Sequence, residues 1–162
     1  MALANEEMLR KMAQFRSLPL TNMVWALATL RSQSQSLLEP TCQRVLLLLQ
    51  EYNPQQVANS LWGTAKLGVR HAAVERLCQR VLELMSQFDA QKLANSIWGL
   101  ANLQVSHTPL LREASRHCQR HELSAQHCAN VAWACAHLAC PDLPLLAFLA
   151  TRFVAQLDHA RP

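Results

Sequence analysis

Four copies of one eleven-residue pattern constrain the fold of this chain more than any other feature. The copies read LTNMVWALATL (20–30), VANSLWGTAKL (57–67), LANSIWGLANL (93–103) and CANVAWACAHL (128–138). All fit N-x-x-W-[AG]-x-A-x-L and contain the four tryptophans of the chain, which follow one another after 37, 36 and 35 residues. A fixed period of 20 to 50 residues indicates a stacked array of repeats.

The segments between the copies also recur. PTCQRVLLLLQEY (40–52) aligns with RLCQRVLELMSQF (76–88), RHCQRHEL (116–123) is a shortened copy, and LATRFVAQL (149–157) is a divergent one. The repeated Cys precedes the next motif Asn by 17 residues in the first two cases and by 12 in the third. The third repeat has therefore lost about one helical turn or more.

Each unit reads as two helices, a Trp-bearing helix A and a Cys-bearing helix B, because apolar residues recur three and four apart. Asn53, Asp89 and Ser124 are predicted N-caps, with Pro54 at a first helical position. We expect an all-α, right-handed α-solenoid of about four tandem helix-turn-helix repeats of ~36 residues. The chain (1–162) is one predicted domain, with repeats at about 18–52, 53–88, 89–123 and 124–158, and with 1–17 as the second helix of a preceding partial repeat.

Composition favours a globular, intracellular protein. Apolar residues make up 51% and charged residues 16%, and no run reaches the ~18 apolar residues of a membrane span. The first residues lack the apolar core of a signal peptide, so secretion is not expected. Three of six cysteines, Cys42, Cys78 and Cys118, share one repeated apolar position, which predicts buried free thiols. The net charge of +4 permits a polyanionic partner.

The recurring residues of helix A are predicted to be mainly scaffold. Each Trp is expected to fill space between adjacent repeats. The motif Asn is expected to form a hydrogen-bonding ladder between repeats or to contact an extended ligand. The small residue after each Trp is predicted to point toward the middle of the polar face and to allow close approach of a neighbouring helix or of a ligand. These small residues are Ala26, Gly63, Gly99 and Ala134.

Residues that vary between repeats are the better candidates for selectivity. Three residues before the motif Asn stand Pro19, Gln56, Lys92 and His127, and seven after it stand Thr29, Lys66, Asn102 and His137. Both sets are predicted to be exposed, where their donors and acceptors suit the edges of nucleobases, although an ordinary solvated face remains the alternative. The motif residues Asn59, Asn95 and Asn130 complete this candidate set.

An Arg recurs two residues after the repeated Cys. Its copies are Arg44, Arg80, Arg120 and, in the divergent segment, Arg152. One guanidinium per repeat could follow the phosphates of a nucleic acid. A repeated salt bridge, either on the surface or between repeats, is the alternative.

Other functional classes are not favoured by the sequence. His117, Cys118, His121 and Cys128 lie close together, but Cys118 occupies the repeated apolar position, so neither a metal site nor a cofactor is expected. No nucleotide-binding loop, nucleophile motif or paired carboxylates are present, and we predict that the chain is not an enzyme. The last helix is apolar nearly all round, which suggests that further repeats or a protein partner meet it.

The stretch VANSLWGTAKL and its three relatives resemble the octotricopeptide repeat family, whose arrays of paired helices are related in style to FAST-kinase-type and RAP-containing proteins. The resemblance covers nearly the whole chain. It implies sequence-selective binding of single-stranded RNA in a chloroplast or mitochondrion, affecting RNA processing, stability or translation, with no membrane partner.

Two functions therefore remain open. The first is an RNA-binding array that holds about four nucleotides, if each repeat reads one base. The second is a protein–protein scaffold that binds an extended peptide along the groove of the array.

Overall fold

The structure, a computed structural model, describes Glu7 and residues 10–32, 34–69, 72–140 and 142–159. Within these ranges the chain forms helices and no strands, which confirms the all-α prediction. The α-helices from residue 17 onward are α1 (Ser17–Thr29), α2 (Gln35–Leu47), α3 (Pro54–Lys66), α4 (Ala72–Glu83), α5 (Ala90–Leu103), α6 (Thr108–Arg120), α7 (Ala125–His137) and α8 (Leu143–His159). In the segment 1–17, expected to be the second helix of a preceding partial repeat, residues 1–6, 8 and 9 lie outside the described residues, and Glu7 and residues 10–12 are helical.

The predicted caps begin three of the Trp-bearing helices. The Asn53 side chain accepts a hydrogen bond from the backbone N–H of Gln56, and the Gln56 side chain accepts one from the Asn53 N–H in return. Asp89 caps α5 by accepting from the Lys92 N–H at 2.8 Å. Ser124 caps α7. Such caps satisfy N–H groups that have no partner inside the helix, so they fix where each helix begins.

The helices form two layers that alternate along the chain. The Trp-bearing helices α1, α3, α5 and α7, called the A helices below, pack side by side, each mainly against the A helices next to it in sequence. The helices α2, α4, α6 and α8, called the B helices, contact one another less. The apolar core lies between the layers and includes Leu61, Leu77 and Ile97.

Small residues allow the A helices to approach closely. A Cβ atom on Gly63 would lie 2.4 Å from Val24 Cγ1 and 3.3 Å from the Val24 carbonyl oxygen. A Cβ atom on Gly99 would lie 3.2 Å from the Leu61 carbonyl oxygen. The small position therefore serves a neighbouring A helix, and the prediction that it points to the middle of the polar face is wrong because both glycines are buried.

The cysteines of the B helices are buried free thiols, as predicted. Cys42, Cys78 and Cys118 are at most 5% exposed and form no disulfide. Burial raises the pKa of Cys42 to about 11 and those of Cys78 and Cys118 to about 12. These thiols therefore stay protonated near neutral pH and fill the core as small apolar groups.

The shortened third repeat has a local structural cause. Both α2 and α4 are followed by a 3₁₀ turn, at Leu49–Glu51 and Met85–Gln87, before the next A helix begins. After α6 ends at Arg120 no such turn is present, and α7 begins at Ala125. In the described part of the chain, none of the helices has the length and apolar character needed to cross a membrane.

Candidate functional site

One face of the A helices carries the same kinds of side chain in successive repeats. Positions separated by 4, 7 and 11 residues fall within about 60° on a helix with 3.6 residues per turn. We call these positions the A face, and all of its members are exposed or half-buried. They are Leu18, Asn22, Trp25 and Thr29 on α1; Gln55, Asn59, Trp62 and Lys66 on α3; Gln91, Asn95, Trp98 and Asn102 on α5; and Gln126, Asn130, Trp133 and His137 on α7.

The four tryptophans lie at the boundary between the core and solvent. Trp25 is 51% exposed and Trp133 is 43% exposed, so the prediction that every Trp plugs a gap between repeats is wrong for these two. Trp62 and Trp98 are half-buried, and Trp62 packs on a small apolar cluster that includes Leu27. The core between the layers is filled instead by residues on the inner side of each A helix.

A cation lies between the two central tryptophans. Lys66 Nζ is 5.9 Å from the ring centroid of Trp62 and 5.1 Å from that of Trp98 in the next repeat. Both distances are within the range of cation–π attraction. At the equivalent position of the last repeat, the His137 ring stacks on Trp133 with centroids 4.6 Å apart and an interplanar angle of 16°.

Two of the motif asparagines are bonded within their own helices. Gln55 Nε2 donates to Asn59 Oδ1 at 2.8 Å, and Gln126 Nε2 donates to Asn130 Oδ1 at the same distance. The predicted ladder between repeats is therefore wrong for these two, because a Gln one turn earlier is nearer than the next helix. Asn95 is half-buried on the same face.

All four residues that stand four positions after a Trp are exposed, as predicted. They are Thr29, Lys66, Asn102 and His137. Thr29 Oγ1 donates to the Trp25 carbonyl oxygen and Asn102 Nδ2 to the Trp98 carbonyl oxygen, each at 2.8 Å. These residues are thus accessible to a ligand, as is the candidate Arg120.

Three of the four residues that stand three positions before the motif Asn interact with the capping residue of their helix, whereas the helix that contains Pro19 has no side-chain cap bond. Gln56 is only 8% exposed and closes the cap of α3, so the prediction that it is exposed is wrong. The half-buried His127 accepts through Nδ1 from the Ser124 N–H at 3.4 Å. Lys92 forms an ion pair with Asp89, the capping residue of α5. This position is the third of the helix, where a side chain can reach back to the cap.

The recurring arginines connect neighbouring B helices. Arg80 Nη2 donates to the carbonyl oxygens of Gln50 at 2.9 Å and of Tyr52 at 3.4 Å, and Arg80 also pairs with Glu83. Arg44 Nη2 donates to the Phe15 carbonyl oxygen at 3.4 Å. These contacts favour a structural role for both residues, through hydrogen bonds to backbone carbonyl oxygens of the preceding repeat rather than through the expected salt bridge between repeats.

The third and fourth recurring arginines, Arg120 and Arg152, do not share the contacts of the first two. Arg120 is exposed at the end of α6. In α8, Arg152 lies 5.4 Å from the Phe148 ring, and Gln156 rather than Arg152 donates to the Leu123 carbonyl oxygen.

The A helices contain no Asp or Glu. The sequences of α1, α3, α5 and α7 have no acidic residue, whereas α2, α4 and α6 carry Glu39, Glu75, Glu83 and Glu113. Among the residues placed on the A face, Lys66 is the one with a permanent charge. A polyanion can therefore approach this face without meeting a carboxylate on it.

The histidines near residue 117 form a stacked pair. The rings of His117 and His121 have centroids 4.0 Å apart, and burial, followed by the neighbouring His121, lowers the pKa of His117. Of the residues that the structure describes, no three His, Cys, Asp or Glu are grouped so that they could hold a metal ion.

A family model described as RESC6, RNA-editing substrate-binding complex 6 protein, matches residues 1–108, two thirds of the chain. This range includes the first three Trp motifs. The match overturns the identification with the octotricopeptide repeat family, which is wrong, because the same repeated motif belongs to a different RNA-related family. No curated protein matches the chain.

Proposed function

The chain belongs to the family of RNA-editing substrate-binding complex 6 proteins, and from this premise we propose that it binds single-stranded RNA along the A face. The observation that carries this proposal is the face itself, on which neighbouring helices present partly exposed indoles, amides and Lys66 without a carboxylate. Indoles and amides of this kind bind unpaired bases by stacking and by hydrogen bonds to base edges.

We further propose a solenoid architecture for the chain and a role in an RNA-editing complex. The alternating layers support a right-handed α-solenoid of four repeats, in which the A helices line one side. The protein would act as a non-catalytic RNA-binding component of an RNA-editing complex, together with protein partners. RNA-editing complexes are mitochondrial in trypanosomatids, which favours a mitochondrion over a chloroplast.

The contacts of the recurring arginines predict a weak salt dependence for such binding. Each phosphate neutralised on a single strand contributes a slope of about −0.7 in log K against log salt, or about a threefold loss between 50 and 200 mM salt. Since Arg44 and Arg80 are engaged with backbone carbonyls, only a few phosphates would be neutralised. Most of the affinity would come from the bases.

Charge reversal on the A face tests this proposal. Lys66→Glu is compared with Arg76→Glu, which makes the same charge change at an exposed position of a B helix. We expect Lys66→Glu to weaken binding of a labelled oligouridine by about five- to tenfold in fluorescence anisotropy, and Arg76→Glu by less than twofold. Equal losses would indicate a response to net charge alone and would reject the A face as the binding surface.

A peptide scaffold is the second candidate, and the last helix favours a protein contact there. Leu143 is 72% exposed and Val154 is 55% exposed on α8, and the partly buried Leu146 and Phe153 lie on the same helix. If peptide binding were the main activity, oligouridine would neither bind nor compete with a bound peptide. Measuring both ligands with the same protein separates the two functions.

A further inference from the structure

We propose that the tryptophans of the A face are stacking platforms for unpaired bases, with Trp62 and Trp98 around Lys66 forming the strongest site. The proposal rests on the RNA binding proposed above and specifies which atoms of the ligand are recognised. The protein would bind mainly the flat faces of the nucleobases, and the phosphates would contribute less to the affinity.

The exposure of the indoles is the first supporting observation. A Trp is a large apolar side chain that normally contributes most when it is buried. In this chain Trp25 and Trp133 leave about half of their surface in solvent, Trp62 and Trp98 are half-buried, and all four indoles occur at the same position of the same face. A repeated, partly exposed indole is suited to a ligand that supplies one flat apolar surface per repeat.

The position of Lys66 is the second observation. Its Nζ lies within 6 Å of the indole centroids of both Trp62 and Trp98, so these two rings belong to one continuous surface that crosses from α3 to α5. A base stacked on either ring would bring its phosphate near this ammonium group. A short stretch of single strand could therefore use both indoles and the cation together.

The last repeat shows that an indole of this face accepts a flat heteroaromatic ring. His137 stacks on Trp133 in nearly parallel orientation. At the equivalent positions after Trp62 and Trp98 stand Lys66 and Asn102, which have no ring. We therefore expect bases to stack more strongly on the two central indoles than on Trp133, where His137 competes for the same surface.

The amides next to the indoles supply hydrogen bonds. Gln55 and Asn59 form a bonded pair on α3, within one or two turns of Trp62 on the same face. Paired amides retain donors and acceptors that can bind the edge of a stacked base. A base held in this way would be recognised by both its face and its edge.

The experiment compares an oligouridine with an abasic oligonucleotide of the same length, which keeps the phosphates and lacks the bases. Titrations use the full chain, its Trp98→Leu and Trp98→Phe variants, and Phe148→Leu as an aromatic-to-aliphatic control on α8. We expect Trp98→Leu to lose about tenfold in affinity for the oligouridine and less than twofold for the abasic strand. Trp98→Phe should retain most of the affinity because its ring can still stack.

A second readout needs no variant and is independent of folding defects. Stacked bases should quench the intrinsic Trp fluorescence of the unmodified protein, and the abasic strand should not. Equal binding of the two strands without quenching would overturn the stacking platforms and leave RNA binding in place. Absence of binding to either strand would overturn the proposed function as well.

Discussion

The two layers of this protein use their recurring residues in opposite ways. In the A layer, the recurring Trp lies partly in solvent, and the helices are held together by close backbone contact at Gly63 and Gly99. In the B layer, the helices touch less, and the recurring Arg80 and Arg44 bond to carbonyl oxygens of the preceding repeat. Recurrence alone therefore does not separate scaffold residues from ligand-binding ones.

The length of the arginine side chain and the size of the indole explain this difference between the layers. A guanidinium on a long, flexible side chain can reach the end of the neighbouring B helix, where carbonyl groups lack partners inside their own helix. An indole at the edge of the apolar sector cannot enter a space that is already filled where two A helices meet. The repeated tryptophan is thus left partly exposed to solvent. The repeated arginine forms hydrogen bonds within the protein.

The largest effect is expected where the A helices meet. Gly63→Leu should lower the free energy of unfolding by about 3 kcal/mol, because even a Cβ atom there would meet Val24. Urea denaturation followed by circular dichroism measures the change. Ala26→Leu, at the equivalent but half-buried position of α1, is the control and should cost clearly less. Equal costs would mean that the A layer is not held by close approach at this glycine.

A smaller effect is expected in the B layer. Arg80→Met should cost about 2 kcal/mol, because it removes charged hydrogen bonds to the Gln50 and Tyr52 carbonyl oxygens. Its affinity for oligouridine should stay within twofold of the unaltered chain. Arg76→Met on the exposed side of the same helix should leave stability nearly unchanged. A large loss of RNA affinity with normal stability would restore the phosphate-binding interpretation of Arg80.

The smallest effect is expected for the exposed indoles. Trp133→Ala should cost about 1 kcal/mol or less, whereas truncating a fully buried Trp costs roughly 3–5 kcal/mol. The reason is that Trp133 already has 43% of its surface in solvent and stacks mainly on His137. The same urea titration measures it. A cost near 4 kcal/mol would show that this Trp is a plug after all and would remove the contrast between the layers.

Most local features of the structure could be predicted from the sequence. Asn53, Asp89 and Ser124 cap helices because their short side chains satisfy N–H groups a few residues away. The burial of the thiols could be predicted from their repeated apolar position. The shorter connection between α6 and α7 could be predicted from the shorter spacing between Cys118 and Asn130. These properties depend on neighbours within one or two helical turns, so a sequence pattern contains the needed information.

The candidate site was only partly predictable. Lys66, Asn102 and His137 are exposed as expected, but Gln56 was misjudged because its cap bond turns it inward. The sequence predicts that the tryptophans fill space between repeats and does not mark them as ligand-binding residues. Each Trp stands 3 residues after an Asn, and three of the four stand 7 residues after a Gln, and this shared spacing was the available signal.

By itself, the sequence determined that the chain consists of alternating helices with a period of about 36 residues, because helix periodicity and capping are local. Only the tertiary structure decided that the repeated Trp lies partly in solvent and that the repeated Arg44 and Arg80 bond to the preceding repeat. This difference depends on the distance between helices in each layer. In the A layer, close backbone contact at Gly63 and Gly99 fills the space where the helices meet, whereas the B helices touch less and Arg80 and Arg44 reach carbonyl oxygens of the preceding repeat.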